Sequence, residues 1–538
     1  VFKLMSGVAV VVCAAMAYGG GPGPFKTKWT AKPAGDVKEC FVTEDAGAVF
    51  GMGKKTLTGF DIETGKPAGT VAINDVTGGK DIDEWTTVSG PTTHMLLLKT
   101  EGDDIDEVVG VALPSMKKKW SVKVKGPDMK TFVYLSDLDA VALPIEDTLV
   151  LVSAGTGKVL WKKPTFFGKM MRHQYLPEQK LLLTVSYMPG GAMSFGSAFT
   201  FGRTQVSCIN TETGTTLWDR TYNLVNATKG SVAYQKDYVA ISVDGDQVLL
   251  MLDYLRVINL QTGKDAWIGV VGQETFKWGG FALEAQQLPM VGGDFIYQTN
   301  FNHDVFKTDR LTGKDAWKFD VKGSDYLPKL VVDNGIVLVQ EGGYICKEAE
   351  IKIQGTLVGY RRNWETNGPF AVAAIDDKTG KQIWTTEELK DGLTRLIVDN
   401  GVVYFCTGDK MYALKIADKA QKFVVSHKDA KLGETRWAVD NGDRITVIGE
   451  KGLCAYAKAD GKRLFKAECD GVDDYRIIGD NFFGISEDKV YTGIDIATGA
   501  IKGALATDDF DENWAVSPDG KFFVTIDGKE VTRLAVDK

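Results

Sequence analysis

Short apolar runs separated by glycine- and aspartate-rich turns recur along almost the whole chain, and no long stretch keeps the spacing of an amphipathic helix. Segments such as LIVDNGVVYFCTG, IIGDNFFGISED and AVSPDGKFFVTIDG pair two strand-like runs across Asn-Gly, Gly-Asp or Asp-Gly reversals. A second pattern is overlaid on the first: a strand-like run, a Thr-Gly-Lys type turn, then a short run closing on an aromatic residue. It reads VLVSAGTGKVLW to Trp161, VSCINTETGTTLW to Trp218, LRVINLQTGKDAW to Trp267, VFKTDRLTGKDAW to Trp317 and VAAIDDKTGKQIW to Trp384. Degenerate copies close on Trp120, Phe423 and Phe465, and two more surround Gly65 and Gly499.

The turn glycines Gly157, Gly214, Gly263, Gly313 and Gly380 supply a backbone conformation that lets two antiparallel strands reverse. The tryptophans that follow, Trp120 included, combine a large apolar body with one N–H donor, which suits a seam between neighbouring sheets. Each unit predicts about four short strands, and the units repeat every 40 to 50 residues or so. That period with that strand count predicts an all-β chain, a β-propeller of four-stranded blades over residues 25–538. Ten or eleven units can be counted, which leaves one large ring and two smaller rings both open. The segment ending at Trp29 reads as the last strand of a blade whose other strands lie at the C-terminus, so the termini are expected to close the ring. Two insertions interrupt the period, near 188–203 and 341–370.

Composition narrows the function classes. The 538 residues carry 63 Lys and Arg against 71 Asp and Glu, a net charge of -8, which argues against nucleic acid as a partner. Only four histidines are present, His94, His173, His303 and His427, so a His-rich metal centre and His-based acid–base chemistry have little material. Neither a phosphate-binding GxxxxGK[ST] loop nor a GxSxG nucleophile turn occurs. The acidic runs at 81–84, 103–107 and 508–512 offer hard oxygen ligands for Ca²⁺, yet none has the turn glycine and terminal glutamate of a calcium loop, and a solvated charge run is the simpler reading.

Residues 1–17 have one basic residue, an apolar run and Ala15-Met16-Ala17, the pattern of a secretory signal peptide cleaved before Tyr18. Val12 before Cys13 disfavours acylation there. Residues 18–24 then form a flexible Gly/Pro segment, and no later segment is long and apolar enough to span a bilayer. Export to the periplasm or the extracellular surface is therefore expected. The six remaining cysteines are scattered without a CxxC, and the one bridge left open is Cys454 with Cys469.

The TGKxxW units resemble the quinoprotein-like (PQQ-like) β-propeller repeats, a family that includes quinone-dependent dehydrogenases and the noncatalytic propeller of the outer-membrane assembly machine. The resemblance spans roughly residues 25–538 and implies, by the family's habit, eight blades. For the dehydrogenases it implies a quinone held against a disulfide of adjacent cysteines, a Ca²⁺ and an aspartate base. This sequence has no Cys-Cys pair. The resemblance thus implies a noncatalytic scaffold without cofactor, docking protein partners in the bacterial envelope. Its alternatives are an oxidoreductase with an altered site and an extracellular ligand- or glycan-binding propeller. Candidate partner-docking residues are Phe195, Phe199 and Phe201 in the first insertion and Arg361, Arg362 and Trp364 in the second, where a hairpin tip is the expected setting.

Overall fold

A computed structural model of the chain describes residues 25–536, except 189–202, 224–239, 270–280, 283–288, 322–328, 507–513 and some shorter connecting stretches; for 343–367 it describes the backbone. The signal-peptide segment and the Gly/Pro segment after it lie outside the described residues. Apart from the helix Ile73–Thr77 and a three-residue 3-10 turn, Lys428–Ala430, every described element is a strand. The strands form eleven antiparallel sheets, ten of four strands and one of five. Blades 1 to 10 cover residues 39–72, 82–124, 133–164, 169–223, 240–269, 290–319, 329–385, 397–426, 435–468 and 474–506. Blade 11 joins residues 514–535 to Lys26–Ala31, which pairs antiparallel with Glu530–Ala535 from Lys26 opposite Ala535 to Ala31 opposite Val531.

The blades make one ring. Two-sided sheets need cover on both faces, and among the described residues there are eleven inter-blade apolar clusters, each built from two consecutive blades. The cluster of Cys40, Val49 and Phe60 with Phe522, Val524 and Val531 joins blade 1 to blade 11 and leaves no open end. Two rings would need two such closures; among the described residues there is one. The ring therefore exceeds the eight blades that the family's habit implies.

First strands of adjacent blades approach to within 8 Å between Cα atoms at several seams, so these strands line the axis. With sheets packing about 10 Å apart and strands about 4.8 Å apart, eleven blades leave roughly 20 Å between opposite inner backbones. The inner-strand residues Val42, Tyr134, Tyr175, Val243, Val332, Val398 and Ile477 are accordingly half-buried, while second strands such as Ala140–Ile145 and Val402–Cys406 are buried throughout.

Within each of blades 1 to 10 the connection between third and fourth strands carries the repeated turn. At Gly214 φ is +71°, and a Cβ there would sit 2.7 Å from Cγ of Trp161 in the preceding blade. Conformation and packing both demand glycine. Blades 2 and 8 place Met116 (φ 54°) and Lys419 (φ 61°) at the same turn position, which is why their copies look degenerate in sequence. Gly214→Ala is expected to cost about 1–2 kcal/mol from the left-handed conformation alone, more with the Trp161 contact. Lys419→Gly is expected to be neutral or mildly stabilising, and denaturant midpoints of the two variants check the pair.

The first residue of this turn is often aspartate. Asp61, Asp309 and Asp376 each accept hydrogen bonds from the hydroxyl and backbone N–H of Thr64, Thr312 and Thr379, at 2.7 to 2.8 Å. The threonine hydroxyl first, then the N–H, holds each carboxyl below the usual 3.8. A depressed folded-state pKa stabilises above the unfolded value and is lost as pH falls through and below it. Blades 4 and 5 use Asn210 and Asn259 in this role. The triple variant Asp61→Asn, Asp309→Asn, Asp376→Asn should therefore lose less melting temperature than the native chain between pH 5 and pH 2.5; equal slopes would contradict the assignment.

Candidate functional site

The two faces of the ring differ. Connections from first to second strand and from third to fourth lie on one face, and none exceeds five residues. Connections from second to third strand and from one blade to the next lie on the other face and reach fourteen residues at 189–202, sixteen at 224–239 and twenty at 270–289. Blades 4 to 7 hold all three, and blade 7 adds a long hairpin from the strands Ile336–Ile353 and Thr356–Asp376. Both insertions legible in the sequence thus leave from the same face. Loops on a rigid scaffold are where binding residues concentrate.

The short-turn face is tied across the seams. Trp120, Trp161, Trp218, Trp267, Trp317 and Trp384 each donate their indole N–H, at 2.7 Å, to a carbonyl in the turn of the following blade: Ala154, Thr211, Leu260, Arg310, Asp377 and Ile416. Gly157, Gly214, Gly263, Gly313 and Gly380 lie under the rings of Trp120, Trp161, Trp218, Trp267 and Trp317. Trp29 repeats the arrangement with the Ile62 carbonyl at 3.1 Å, and Phe423 and Phe465 cover Gly461 and Gly499 without a donor.

Buried cations add a second set of ties that sequence reasoning missed. Lys307, 5% exposed, donates to Asp377 Oδ2 at 2.8 Å and to its carbonyl at 3.0 Å, and lies 4.1 Å from the centre of the Phe295 ring. Lys458, 8% exposed, meets Asp399 at 3.0 Å and Asp440 at 2.7 Å. Arg310 reaches Asp244 and Gln247 of the preceding blade. The available signal was a lysine at an apolar strand position in VFKTD, and one just after the strand in CAYAKAD, with Asp in the turns that meet them.

Nucleophiles and acids do not converge. Cys40, Cys208 and Cys454 are buried in three different seams, and burial pushes each thiol up to about 12. Cys454 belongs to the blade 8–9 core and Cys469 to the blade 9–10 core, so the bridge left open between them is not made. His427 is buried, with Nε2 3.1 Å from the Gly408 carbonyl and 3.0 Å from Thr435 Oγ1, and burial holds its pKa below the usual value. His94 and His173 lie in other blades, and His303 is outside the described residues. In the acidic runs Asp83 pairs with Lys99 at 2.6 Å and Glu107 with Lys80 at 2.9 Å. Residues 508–512 are outside the described set. Among the described residues no group of three or more His, Cys, Asp or Glu is placed to hold a metal ion. The thiol pair and oxygen donors that would hold a quinone and its Ca²⁺ are not assembled by the described residues.

Of the candidate docking residues, Phe195, Phe199 and Phe201 lie outside the described residues. Arg361, Arg362 and Trp364 fall on Thr356–Asp376, in register with Ala349, Glu348 and Cys346. The outermost register pair of the hairpin is Ile353 with Thr356, so these three positions stand along its length and not at the expected tip.

A closed ring of four-stranded sheets, nine of its eleven seams locked by an aromatic residue over the next blade's turn, defines a β-propeller of the PQQ-like repeat class. Residues 106–363 and 370–521, about three quarters of the chain, match the family model described as outer membrane protein assembly factor BamB, and the chain belongs to that family. No curated protein matches it. Solved structures that resemble it include the computationally designed Ika8 protein (12% identity, 68% of this chain and 96% of that one, TM-score 0.35). Others are BamB from Moraxella catarrhalis (15%, 62% and 88%, 0.34) and a europium-containing methanol dehydrogenase (12%, 70% and 84%, 0.29).

Proposed function

We propose that this chain is a noncatalytic docking scaffold of the cell envelope, exported from the cytoplasm and holding protein partners on its long-connection face. One observation carries the reading: every connection longer than five residues leaves from a single face of a ring whose opposite face is made of tight turns. A rigid ring with one elaborated face suits recognition of large surfaces. The family's description as an outer-membrane assembly factor agrees with an envelope partner. Ca²⁺ has no part in this reading.

The test is site-specific photocrosslinking in cells of the source organism. A photoreactive amino acid is placed one at a time at Ala192, Gln273 and Gly355, in connections whose flanking strands end on the long-connection face, and at Asp246, Asn334 and Asn400 on the turn face. Discrete protein adducts from the first set alone support the scaffold; adducts from the turn face alone, or none from either, would sink it.

A further inference from the structure

Blade 7 departs from the other ten blades in one respect. Its second and third strands run 18 and 21 residues, while no strand elsewhere exceeds eight. The excess is a two-stranded arm, from Gly343 opposite Asn367 to Ile353 opposite Thr356. Its eleven and twelve residues per strand extend it roughly 35 Å from the ring face. The blade does not follow it outward. The first strand, Lys329–Asp333, ends its pairing at Gln340, and the fourth, Gln382–Thr385, at Ala373.

A bare two-stranded hairpin is marginally stable in water. One edge of this arm is partly covered: Phe281–Ala282, from the connection before blade 6, pairs antiparallel with Lys347 and Glu348. The opposite edge, residues 356–367, has no strand beside it among the described residues. A long edge without proline is a template for another strand, and TLVGYRRNWETN contains none. Addition at the first edge shows that the arm takes an extra strand. Arg361 and Arg362 place two cations at the middle of the second edge, in a chain of net charge -8 that repels its own copies.

We propose that the arm is a strand-addition site, and that residues 356–367 receive an extended segment of another polypeptide bearing acidic side chains beside Arg361 and Arg362. The inference rests on the docking reading above and assigns the partner's form: backbone hydrogen bonds supply affinity, and alternate side chains supply selectivity.

The probe is a displayed library of twelve-residue peptides selected on the full chain, with winners resynthesised and measured by fluorescence anisotropy. Two variants serve as controls. In one, residues 343–367 are replaced by an Asn-Gly turn; in the other, Arg361→Glu and Arg362→Glu leave the backbone in place. Unchanged melting temperatures establish that both rings fold. Winners rich in Asp, Glu and β-branched residues are expected, with at least tenfold weaker binding to each variant. Amide exchange at 356–367 should slow in the complex. Peptides that bind the armless variant equally well would overturn the arm while leaving the scaffold reading intact. An empty selection, or dimers that vanish with the arm and ignore the peptides, would overturn it as well; the crosslinking test reports on the scaffold separately.

Discussion

A chain lacking residues 25–31 is expected to lose its cooperative fold, or to melt at least about 10 °C lower than the intact chain. Phe25 is 2% exposed and packs with Phe483, Leu505 and Phe523, bridging blades 10 and 11. Trp29 donates to the Ile62 carbonyl and lies 6.1 Å from the Phe60 ring, bridging blades 11 and 1. Lys26–Ala31 itself is the outer strand of blade 11. Losing one large buried aromatic costs about 3–5 kcal/mol, and a whole domain is stable by only about 5–15 kcal/mol. The deletion removes an aromatic from two seams and exposes a strand edge. Thermal unfolding followed by circular dichroism, with the same sample challenged by a protease, reads the effect. Adding the peptide spanning 25–31 in trans should restore part of the lost stability. An unchanged melting curve would mean that the ring does not depend on this closure.

Trp218→Ala is expected to cost about 3–5 kcal/mol. The ring covers Gly263 and packs against Val248, Leu250 and Ile258, and its N–H satisfies the Leu260 carbonyl. Trp218→Phe keeps most of the apolar contact and drops the hydrogen bond, so about 1–2 kcal/mol is expected. Trp267→Ala should cost less than Trp218→Ala, because Trp267 is half-buried whereas Trp218 is 7% exposed. Guanidinium unfolding of the three variants gives the order directly. A larger loss at Trp267 than at Trp218 would contradict the account of how the seams share stability.

These expectations draw on parts of the fold that were legible in sequence to different degrees. The TGKxxW units could be read because one residue, such as Gly214, answers two demands at once, a positive φ and contact with the previous tryptophan. Where Met116 and Lys419 meet the first demand with a side chain, the pattern fades while the turn persists. Ring closure by the termini was also visible, since the strand ending near Trp29 lacked partners of its own and blade 11 lacked its last strand.

Ring number was not legible, because it is a property of seams. The closing seam between blades 11 and 1 is made by contacts such as Phe60 with Val524 and Val531, which are hundreds of residues apart and leave no periodic signature. The Lys458 ties were hidden for a related reason. A lysine beside a strand reads as solvent-facing until Asp399 and Asp440 are brought against it from two blades. The insertion at 341–370 could be seen as extra length, but its register could not, and so Arg361 to Trp364 stand along an arm where a tip was expected. Phe195, Phe199 and Phe201 lie outside the described residues, and their role rests on the sequence alone.

The central claim is a single ring of eleven blades, from which the seams, the elaborated face and the arm all follow. Single-particle electron microscopy of the purified chain, averaged down the ring axis, tests it most directly. One rosette with eleven spokes around an open centre and a projection beside the seventh is expected. An eight-spoked rosette with separate extra density, or two smaller rosettes, would contradict it.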